Sequence, residues 1–269
     1  MAARFITFLT DFGLRDDFVG TCHGVIKRIA PDAQIIDVTH GIEPQQVLQG
    51  ALVLANTLQY MPIGVHLAVV DPGVGGSRRP LALRDREGRL YVGPDNGLLV
   101  PAAEAGGGIE AAHELANPEY ALQPVSRTFH GRDLFAPAAA HLATGVPLDR
   151  LGPPLDPELL VRLVLPEPAL DPPEIRATAL SVDRFGNVQL NLDGDQLARV
   201  GAVPGRRVEL RLQEGRRPAV VVRTFSDVAA GDAVLYENSY GRIGIAISRG
   251  NAARELDLRP GETVWIDVS

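Results

Sequence analysis

Apolar runs and amphipathic segments alternate along the first seventy residues. The β-prone run at 4–10 predicts a strand, helical spacing follows through Ile29, and residues 34–39 predict a second strand. Apolar residues recur at helical spacing within 45–60, and the run from His66 to Val70 predicts a third strand. This β-α-β-α-β order predicts an α/β N-terminal domain with a mostly parallel central sheet covered by helices.

The pattern changes after a proline-rich stretch. Seven prolines occur from Pro153 to Pro173, and they predict a stiff connector at 166–174. Short apolar runs between glycine or aspartate turns follow, which predicts a small antiparallel barrel or sandwich. We therefore expect an α/β domain at 1–165 and a β domain at 175–269. Its predicted strands cover 175–182, 188–192, 207–212, 218–224, 233–237, 242–248 and 263–268.

Composition narrows the classes of partner and site. A net charge of −7 over 269 residues argues against nucleic acid or an anionic membrane as the main partner. Cys22 is the single cysteine, so an intrachain disulfide and cysteine-cluster metal sites are excluded. The N-terminal stretch lacks the long apolar region of a signal peptide, and no run reaches the ~18 apolar residues of a membrane span. We expect a cytoplasmic protein.

Polar residues interrupt the chain where predicted strands end. Asp11 closes the first strand, and Asp71 closes the third strand before a loop of glycines that contains Arg78 and Arg79. Strand ends in open α/β sheets are where ligands bind, and glycines let the backbone approach a ligand closely. A surface turn with solvated arginines is the alternative interpretation of this loop.

Further polar breaks follow along the chain. Asn96 lies in a Gly/Pro-rich turn, and His130 precedes a helical segment in which Pro137 is tolerated only within the first turn. A helix start offers free N–H groups to a ligand, but a lone histidine there is also explained by a structural role. In the second half, similar breaks occur at 183–187, 225–227, 238–241 and 249–253, and turn residues alone would explain each of them.

Five motifs in order resemble one family, the S-adenosyl-L-methionine hydroxide adenosyltransferases, or S-adenosylmethionine hydrolases, which are related to the fluorinases and chlorinases. The resemblance extends from about residue 5 to the C-terminus. It is carried by Thr10-Asp-Phe-Gly13, Val70-Asp-Pro-Gly-Val-Gly75, Pro94-Asp-Asn-Gly-Leu-Leu99, Thr128-Phe-His-Gly-Arg-Asp133 and Asp183-Arg-Phe-Gly-Asn187.

The resemblance implies the fold, the reaction and the assembly. It implies a C-terminal antiparallel β-barrel-like domain and a homotrimer with the ligand between neighbouring subunits. It implies that water or hydroxide displaces methionine from the ribose 5′-carbon, with no metal and no cofactor beyond the substrate. The implied catalytic residues are Asp71, Arg78 and His130. The implied substrate-binding residues are Asp11 at the ribose hydroxyls, Asn96 near the ribose, Asp183 and Ser239 at the methionine end, and Asn187, Phe225 and the backbone near Ala252 at the adenine.

Three departures from the halogenating relatives favour hydrolysis over halide transfer. In those relatives a tyrosine stands at the position of Asp71, and a hydroxyl-bearing serine stands at the position of Gly131. The turn at 85–88 also leaves no room for the insertion that the halogenases carry. Halide adenosyl transfer therefore remains the less favoured reaction.

Two other functions are compatible with the same residues. Asp11, Asp71, His130 and Asp133 form a carboxylate and histidine set that suits Mn²⁺ or Mg²⁺ in a phosphate-ester hydrolase. A binding protein for S-adenosylmethionine or a nucleoside, without turnover, is the second alternative.

Overall fold

A seven-stranded sheet forms the centre of the first of two structural units in a computed structural model that describes residues 5–269. The first unit ends at Leu163, and the second runs from Val164 to Ser269. Residue 4, the predicted start of the first strand, lies outside the described residues. So do residues 1–3 of the N-terminal stretch that was expected to lack the apolar region of a signal peptide. Within residues 5–269, none of the helices combines the length and apolar character that a membrane crossing requires.

The first unit begins with the predicted alternation of strands and helices. Its elements are β1 (Phe5–Thr10), α1 (Phe18–Ile29), β2 (Gln34–Thr39), α2 (Val47–Leu58), β3 (Val65–Val69), β4 (Pro80–Asp85), β5 (Leu90–Pro94), α3 (Val100–Ala105), β6 (Ile109–Glu114), α4 (Ala136–Ala143) and β7 (Pro154–Leu155). Single 3₁₀ turns occur at Pro118–Tyr120, Leu148–Leu151 and Pro157–Leu159.

The sheet is mixed, and the prediction of a mostly parallel sheet was wrong. The strand order is β2-β1-β3-β5-β4-β6-β7. The pairs β2–β1, β1–β3 and β3–β5 are parallel, whereas β5–β4, β4–β6 and β6–β7 are antiparallel. The physical reason is the short turn from Asp85 to Arg89, which can join only antiparallel neighbours, since a parallel pair needs a crossover of a dozen or more residues. The β-α-β pattern therefore correctly predicted parallel pairing only for the three strands that precede β4 in the chain.

Helices cover both faces of this sheet. Alternate side chains of β1 and β3 point to opposite sides, so that Phe8 and Leu67 pack with α1 and α4, while Leu9 and Ala68 pack with α2 and α3. Burial of both faces holds the strands rigidly. The loops that leave the carboxyl ends of β1 and β3 therefore start from fixed positions.

The segment before α4 is a π-helical turn, Gly131–Phe135, rather than α-helix. Pro137 lies at the start of α4, as predicted, and its ring nitrogen has no N–H to donate to the carbonyl of Asp133. The N–H of Leu122 donates to that carbonyl instead, at 2.8 Å. Because of Pro137, the regular α-helix begins only after the π-helical turn. His130 lies directly before that turn.

The second unit is a closed seven-stranded barrel, which confirms the predicted C-terminal barrel. Its strands run in the order β10-β14-β13-β12-β11-β15-β9, and the pairing of β9 with β10 closes the barrel. The β12–β13 pair is parallel and the other neighbours are antiparallel. The elements are β8 (Ala169–Asp171), β9 (Glu174–Val182), β10 (Val188–Asp193), α5 (Gly194–Arg199), β11 (Arg207–Arg211), β12 (Arg216–Val222), β13 (Ala233–Glu237), β14 (Arg242–Ile247), α6 (Ala252–Glu255) and β15 (Thr263–Asp267).

Candidate active site

Asp71 and Arg78 form a bidentate ion pair at the carboxyl end of β3. Nε of Arg78 lies 2.9 Å from Oδ1 and 3.1 Å from Oδ2 of Asp71, and Nη2 lies 2.5 Å from Oδ2. The two side chains are only 6% and 10% exposed. Charge-assisted hydrogen bonds of this kind are short and directional, so the carboxylate is fixed in one orientation.

The same guanidinium fixes the proton of His130. Nη2 of Arg78 lies 2.7 Å from Nδ1 of His130. Because an arginine has donors and no acceptor, Nδ1 must accept this hydrogen bond, and the proton of the neutral imidazole lies on Nε2. Burial lowers the pKa of His130, and the positive charge of Arg78 lowers it further, against the opposing effect of Asp71. Asp71, Arg78 and His130, here called the triad, are thus one hydrogen-bonded unit.

The glycine-rich loop brings Asp71 and Arg78 to His130. Gly75 has a φ of +74°, and a Cβ at this position would lie 2.2 Å from the carbonyl oxygen of Arg127. A side chain here is excluded by both the backbone conformation and the close approach. The loop after β3 can therefore lie directly against the segment that leads into His130.

Asp11 lies at the carboxyl end of β1 and faces the same space. Its Oδ2 accepts the backbone N–H of Gln45 at 2.9 Å. Burial raises the pKa of Asp11, the hydrogen bond from Gln45 lowers it, and the negative charge of Asp71 raises it again, with a net rise. The two carboxylates therefore influence each other, which places them at one site.

A cavity of about 220 Å³ joins these groups. Aromatic rings form one wall, since Phe12 and Phe129 pack edge to face with centroids 5.9 Å apart. The lining residues are Asp11, Phe12, Gln45, Val69, Asp71, Pro72, Val74, Thr128, Phe129, His130 and Gly131. The cavity therefore combines an apolar wall with two acids.

Sequence reasoning did not predict the part played by Gln45. Its φ is +67°, a conformation that is uncommon outside glycine, asparagine and aspartate, and its N–H is thereby directed at Asp11. No residue pattern signals a left-handed glutamine. Sequence reasoning also did not predict that Phe12 and Phe129 form a wall of the cavity, although both residues lie within the motifs that carry the family resemblance.

Asn96 supports the loop from behind rather than lining the cavity. Its Nδ2 donates to the carbonyl of Val70 at 2.8 Å, and its Oδ1 accepts the N–H of Leu98 at 3.2 Å. Val70 directly precedes Asp71. The amide of Asn96 thus fixes the backbone from which the Asp71 side chain projects.

Asp133 is paired with its neighbour and not with the triad. Nε of Arg132 lies 2.6 Å from its Oδ1, and the N–H of Ser126 donates to Oδ2 at 2.8 Å. Burial alone would raise the pKa of Asp133, but these hydrogen bonds lower it below the usual value. Asp71 and Asp133 are each neutralised by an arginine, an arrangement that disfavours the metal set considered for a phosphate-ester hydrolase.

The predicted residues of the barrel unit lie on its connections. Asp183 and Asn187 belong to the β9–β10 turn, where Nδ2 of Asn187 donates to Oδ2 of Asp183 at 2.7 Å. The N–H of Ala253 donates to the carbonyl of Gly186 at 2.9 Å, so the start of α6, which includes the buried Ala252, packs against this turn. These three predicted residues are brought together.

Phe225 and Ser239 lie on other connections of the barrel. Phe225 is 44% exposed and packs on Tyr236, with ring centroids 4.7 Å apart. Burial raises the pKa of Tyr236 to about 12, and the charge of Asp183 adds to this rise, which links this aromatic pair to the β9–β10 turn. Ser239 is exposed in the turn between β13 and β14.

A larger cavity of about 370 Å³ lies in the barrel unit, and we do not assign the chemistry to it. Its wall includes Glu167, Asn191 and Arg242. Nδ2 of Asn191 donates to the carbonyl of Pro166 at 2.7 Å, and its Oδ1 accepts the N–H of Thr178 at 2.7 Å. The side-chain amide of Asn191 is thus occupied by hydrogen bonds to the backbone. The smaller cavity, in contrast, contains the fixed carboxylate of Asp71 and the imidazole of His130, whose Nε2–H is free.

Comparison with known proteins identifies the family of both parts of the chain. The family model of the SAM hydroxide adenosyltransferase N-terminal domain matches residues 6–152, and that of the C-terminal domain matches residues 177–265. A protein of Salinispora tropica named (R)-S-adenosyl-L-methionine hydrolase is 48% identical over 261 residues, which covers 97% of each chain.

More distant relatives and a solved structure extend this similarity. A protein of Actinoplanes sp. named fluorinase is 30% identical and covers 97% of this chain and 96% of its own. A crystal structure of an uncharacterized conserved protein from Thermotoga maritima superposes with a TM-score of 0.89 at 37% identity, covering 97% of this chain and 99% of the other. The domain matches and the triad together place this chain in the SAM hydroxide adenosyltransferase family.

Proposed function

We propose that this enzyme hydrolyses S-adenosyl-L-methionine to adenosine and L-methionine at the triad. The observation that carries the proposal is the single hydrogen-bonded unit of Asp71, Arg78 and His130, in a cavity that also holds Asp11. Such a unit can orient one water molecule and accept its proton. The hydrolase name of the Salinispora tropica relative supports the same reaction.

The charges of the cavity suit a cationic substrate. Asp11 and Asp71 line the cavity with two carboxylates, and the guanidinium of Arg78 is bonded to Asp71. A sulfonium cation is attracted by this net negative charge, whereas a phosphate ester is repelled by it. Asp11 has one oxygen bonded to the N–H of Gln45, and its other oxygen is available for the ribose hydroxyls.

The reaction exchanges one bond at the ribose 5′-carbon. The oxygen of water forms a bond to that carbon, while the carbon–sulfur bond breaks and its electron pair goes to sulfur. Methionine leaves as a neutral thioether and needs no acid. The attacking water becomes a strongly acidic oxonium as the bond forms, so a carboxylate is a sufficient base, and Asp71 takes the proton. Alignment of water, carbon and sulfur supplies a large part of the rate, on the order of 7–11 kcal/mol of barrier.

His130 acts as a hydrogen-bond donor in this scheme. Its Nδ1 is occupied by Arg78, and its Nε2 already carries a proton. Donation from Nε2–H to the water oxygen leaves one lone pair of that oxygen for the carbon, while Asp71 accepts a hydrogen bond from the water. Arg78 keeps both partners in the required orientation.

Gly131 favours hydrolysis over halide transfer. A Cβ at this position would lie 2.9 Å from Cζ of Phe12 and 3.3 Å from a ring carbon of Phe129. The cavity is therefore built around a residue without a side chain, and it offers no hydroxyl at this place to bind a halide.

The remaining roles follow the family resemblance. We assign Asp183 and Ser239 to the amine and carboxylate of the methionine, and Asn187, Phe225 and the backbone of Ala252 to the adenine. A cavity of about 220 Å³ is smaller than the ~300–1,000 Å³ typical of drug-sized ligands, which supports completion of the site by a neighbouring subunit of a homotrimer. Reaction without a metal or an added cofactor and a cytoplasmic location belong to the same proposal.

Chromatography of the products tests the proposal. Purified protein is incubated with S-adenosylmethionine, and adenosine and methionine are expected to form in equal amounts. The same incubation with added chloride detects 5′-chloro-5′-deoxyadenosine, the product of halide transfer. A parallel sample with a chelator tests for a metal requirement.

Asp71→Asn serves as the matched inactive variant because the amide keeps the shape of the side chain and loses the base. Hydrolysis by the native chain that is no faster than in Asp71→Asn would reject the hydrolase. Tight binding without turnover would identify a binding protein. Loss of activity with a chelator that added Mg²⁺ restores would favour metal-dependent hydrolysis of a phosphate ester.

A further inference from the structure

Three potential metal ligands meet between α1 and the end of β2, outside the proposed catalytic site. Oδ1 of Asp37 lies 2.9 Å from Nε2 of His23 and 3.2 Å from Nε2 of His40. The three ligand atoms all lie within 4.8 Å of one another. We call these residues the His23 cluster. Within residues 5–269, this is the place where three such atoms come together.

Nε2 of His40 is a buried atom without a hydrogen-bond partner. The side chain of His40 is 3% exposed, and its Nε2 faces Asp37 outside the geometry of a hydrogen bond. If the proton of this ring is on Nε2, a buried donor has no acceptor. If the proton is on Nδ1, a lone pair faces a carboxylate oxygen at 3.2 Å and is repelled by it. Because buried polar atoms are nearly always paired, the first arrangement leaves a donor unsatisfied. The second arrangement is relieved by a positively charged group between the ligands.

The surroundings hold His40 in the orientation that a metal ligand needs. Its Nδ1 lies 2.9 Å from Oγ1 of Thr10. Its ring packs edge to face on the buried Phe8, with centroids 4.8 Å apart. Metal-binding histidines commonly donate the other ring N–H to an oxygen in this way, which fixes the tautomer and leaves Nε2 for the metal.

The spacing also fits a small transition metal. Bonds of about 2.0–2.1 Å in a tetrahedral site place ligand atoms roughly 3.4 Å apart. The distances from Asp37 are 2.9 Å and 3.2 Å and need to lengthen slightly to reach this value. The two histidine nitrogens lie within 4.8 Å of each other and complete the triangle by a side-chain adjustment. His23 and Asp37 have side chains that are 32% and 42% exposed, so an ion can enter and a water molecule can complete the coordination.

We propose that the His23 cluster binds one divalent transition-metal ion, such as Zn²⁺, through two histidines and one carboxylate. Imidazole ligands select Zn²⁺ and its neighbours over Mg²⁺ and Ca²⁺, which prefer oxygen ligands. The ion connects α1 to the end of β2. Through Thr10, whose Oγ1 accepts the N–H of Phe12 at 3.1 Å, it also stabilises the segment that carries Asp11.

Calorimetric titration of the untagged, chelator-treated, full-length chain tests this site. We expect one Zn²⁺ per chain, no measurable binding of Mg²⁺, and a rise of several degrees in the melting temperature with Zn²⁺. Co²⁺ titration adds a visible absorption spectrum that reports nitrogen and oxygen coordination. These measurements do not depend on catalytic activity.

His23→Gln and Asp37→Asn are the informative variants because both side chains are partly exposed and the fold does not rely on burying them. Each is expected to weaken Zn²⁺ binding at least 100-fold and to abolish the rise in melting temperature. His141→Gln, which removes a histidine packed on Tyr120 elsewhere in the first unit, is the matched control and is expected to bind Zn²⁺ normally. Absence of stoichiometric Zn²⁺ binding, or binding that both variants retain, overturns the proposal.

Discussion

The guanidinium of Arg78 lies over the ring of Phe135, with its central carbon 5.2 Å from the ring centroid. Phe135 is fully buried and ends the π-helical turn that follows His130. The guanidinium of Arg78 therefore stacks on an aromatic ring while its nitrogens donate hydrogen bonds to Asp71 and His130. A planar, delocalised cation is required for all three contacts.

Arg78→Lys is expected to lower kcat by roughly 10²–10⁴-fold, because an ammonium cannot bond both Asp71 oxygens and Nδ1 of His130 and still stack on Phe135. KM should change much less, since Arg78 holds the water-orienting groups. Steady-state kinetics measure both constants. Arg79→Lys is the control, because Arg79 pairs with Asp95 and not with the triad, and an equal loss in both variants would contradict the assignment.

The pH dependence of kcat/KM should show no loss of activity at the ordinary histidine pKa of about 6.5. The pKa of His130 is lowered by burial and by Arg78, so its neutral form persists to lower pH. The pKa of Asp11 is raised mainly by burial, so activity falls as the pH decreases through a value above the ordinary carboxyl range.

The variant Asp11→Asn tests which group causes that acid limb. Its activity should be low at every pH, and the acid limb that Asp11 causes should be absent from its profile. An unchanged limb in Asp11→Asn would exclude Asp11 as its source. Profiles measured across the same buffers at constant ionic strength give the comparison.

Gly131→Ser should not create a halide transferase. The new Cβ would lie within 2.9 Å of the Phe12 ring, so the wall of the cavity must move before the hydroxyl can face the substrate. We expect hydrolysis to fall about tenfold or more, with no chlorinated product in the presence of chloride. Formation of 5′-chloro-5′-deoxyadenosine by this variant would show that the hydroxyl alone decides the reaction. Gly131→Ala is the matched control, since it adds the Cβ without the hydroxyl.

Folding stability should decrease as the pH is lowered below about 6.5. Burial lowers the pKa of His66 to about 3, so between these values the unfolded chain binds a proton that the folded chain does not. The free energy of unfolding is expected to fall by up to about 1.4 kcal/mol per pH unit from this group, until the pH approaches 3. His66→Gln, which can keep a hydrogen bond to Thr7, should have a flatter profile in urea denaturation. An equally steep profile in the variant would assign the loss to other groups.

Periodicity predicted the elements that bury a regular face. Helix α1 ends at Ile29 and β2 covers Gln34–Thr39, both as expected from the apolar spacing. Helix α3 and β6 were missed because residues 100–114 are rich in alanine and glycine, so that neither a helical nor an alternating pattern stands out. The position of β6 depends on its pairing with β4, a contact that local sequence does not encode.

For the candidate site, too, some residues could be predicted from the sequence, while other features depend on the folded structure. Motif order was sufficient to select Asp71, Arg78 and His130, and the structure places them in contact. The tautomer of His130 was not predictable, because it depends on which atom Arg78 reaches across 52 positions of the chain. The roles of Gln45 and Asn96 depend on backbone geometry, which residue identity alone does not determine.

The pair of carboxylates at Asp11 and Asp71 also affects how the products leave. The substrate arrives with a positive sulfur, and this attraction holds it against the two acids. After the carbon–sulfur bond breaks and the proton passes to solvent, neither adenosine nor the thioether retains that charge. The two carboxylates therefore attract the substrate but not the products. Loss of this attraction weakens product binding and favours product release.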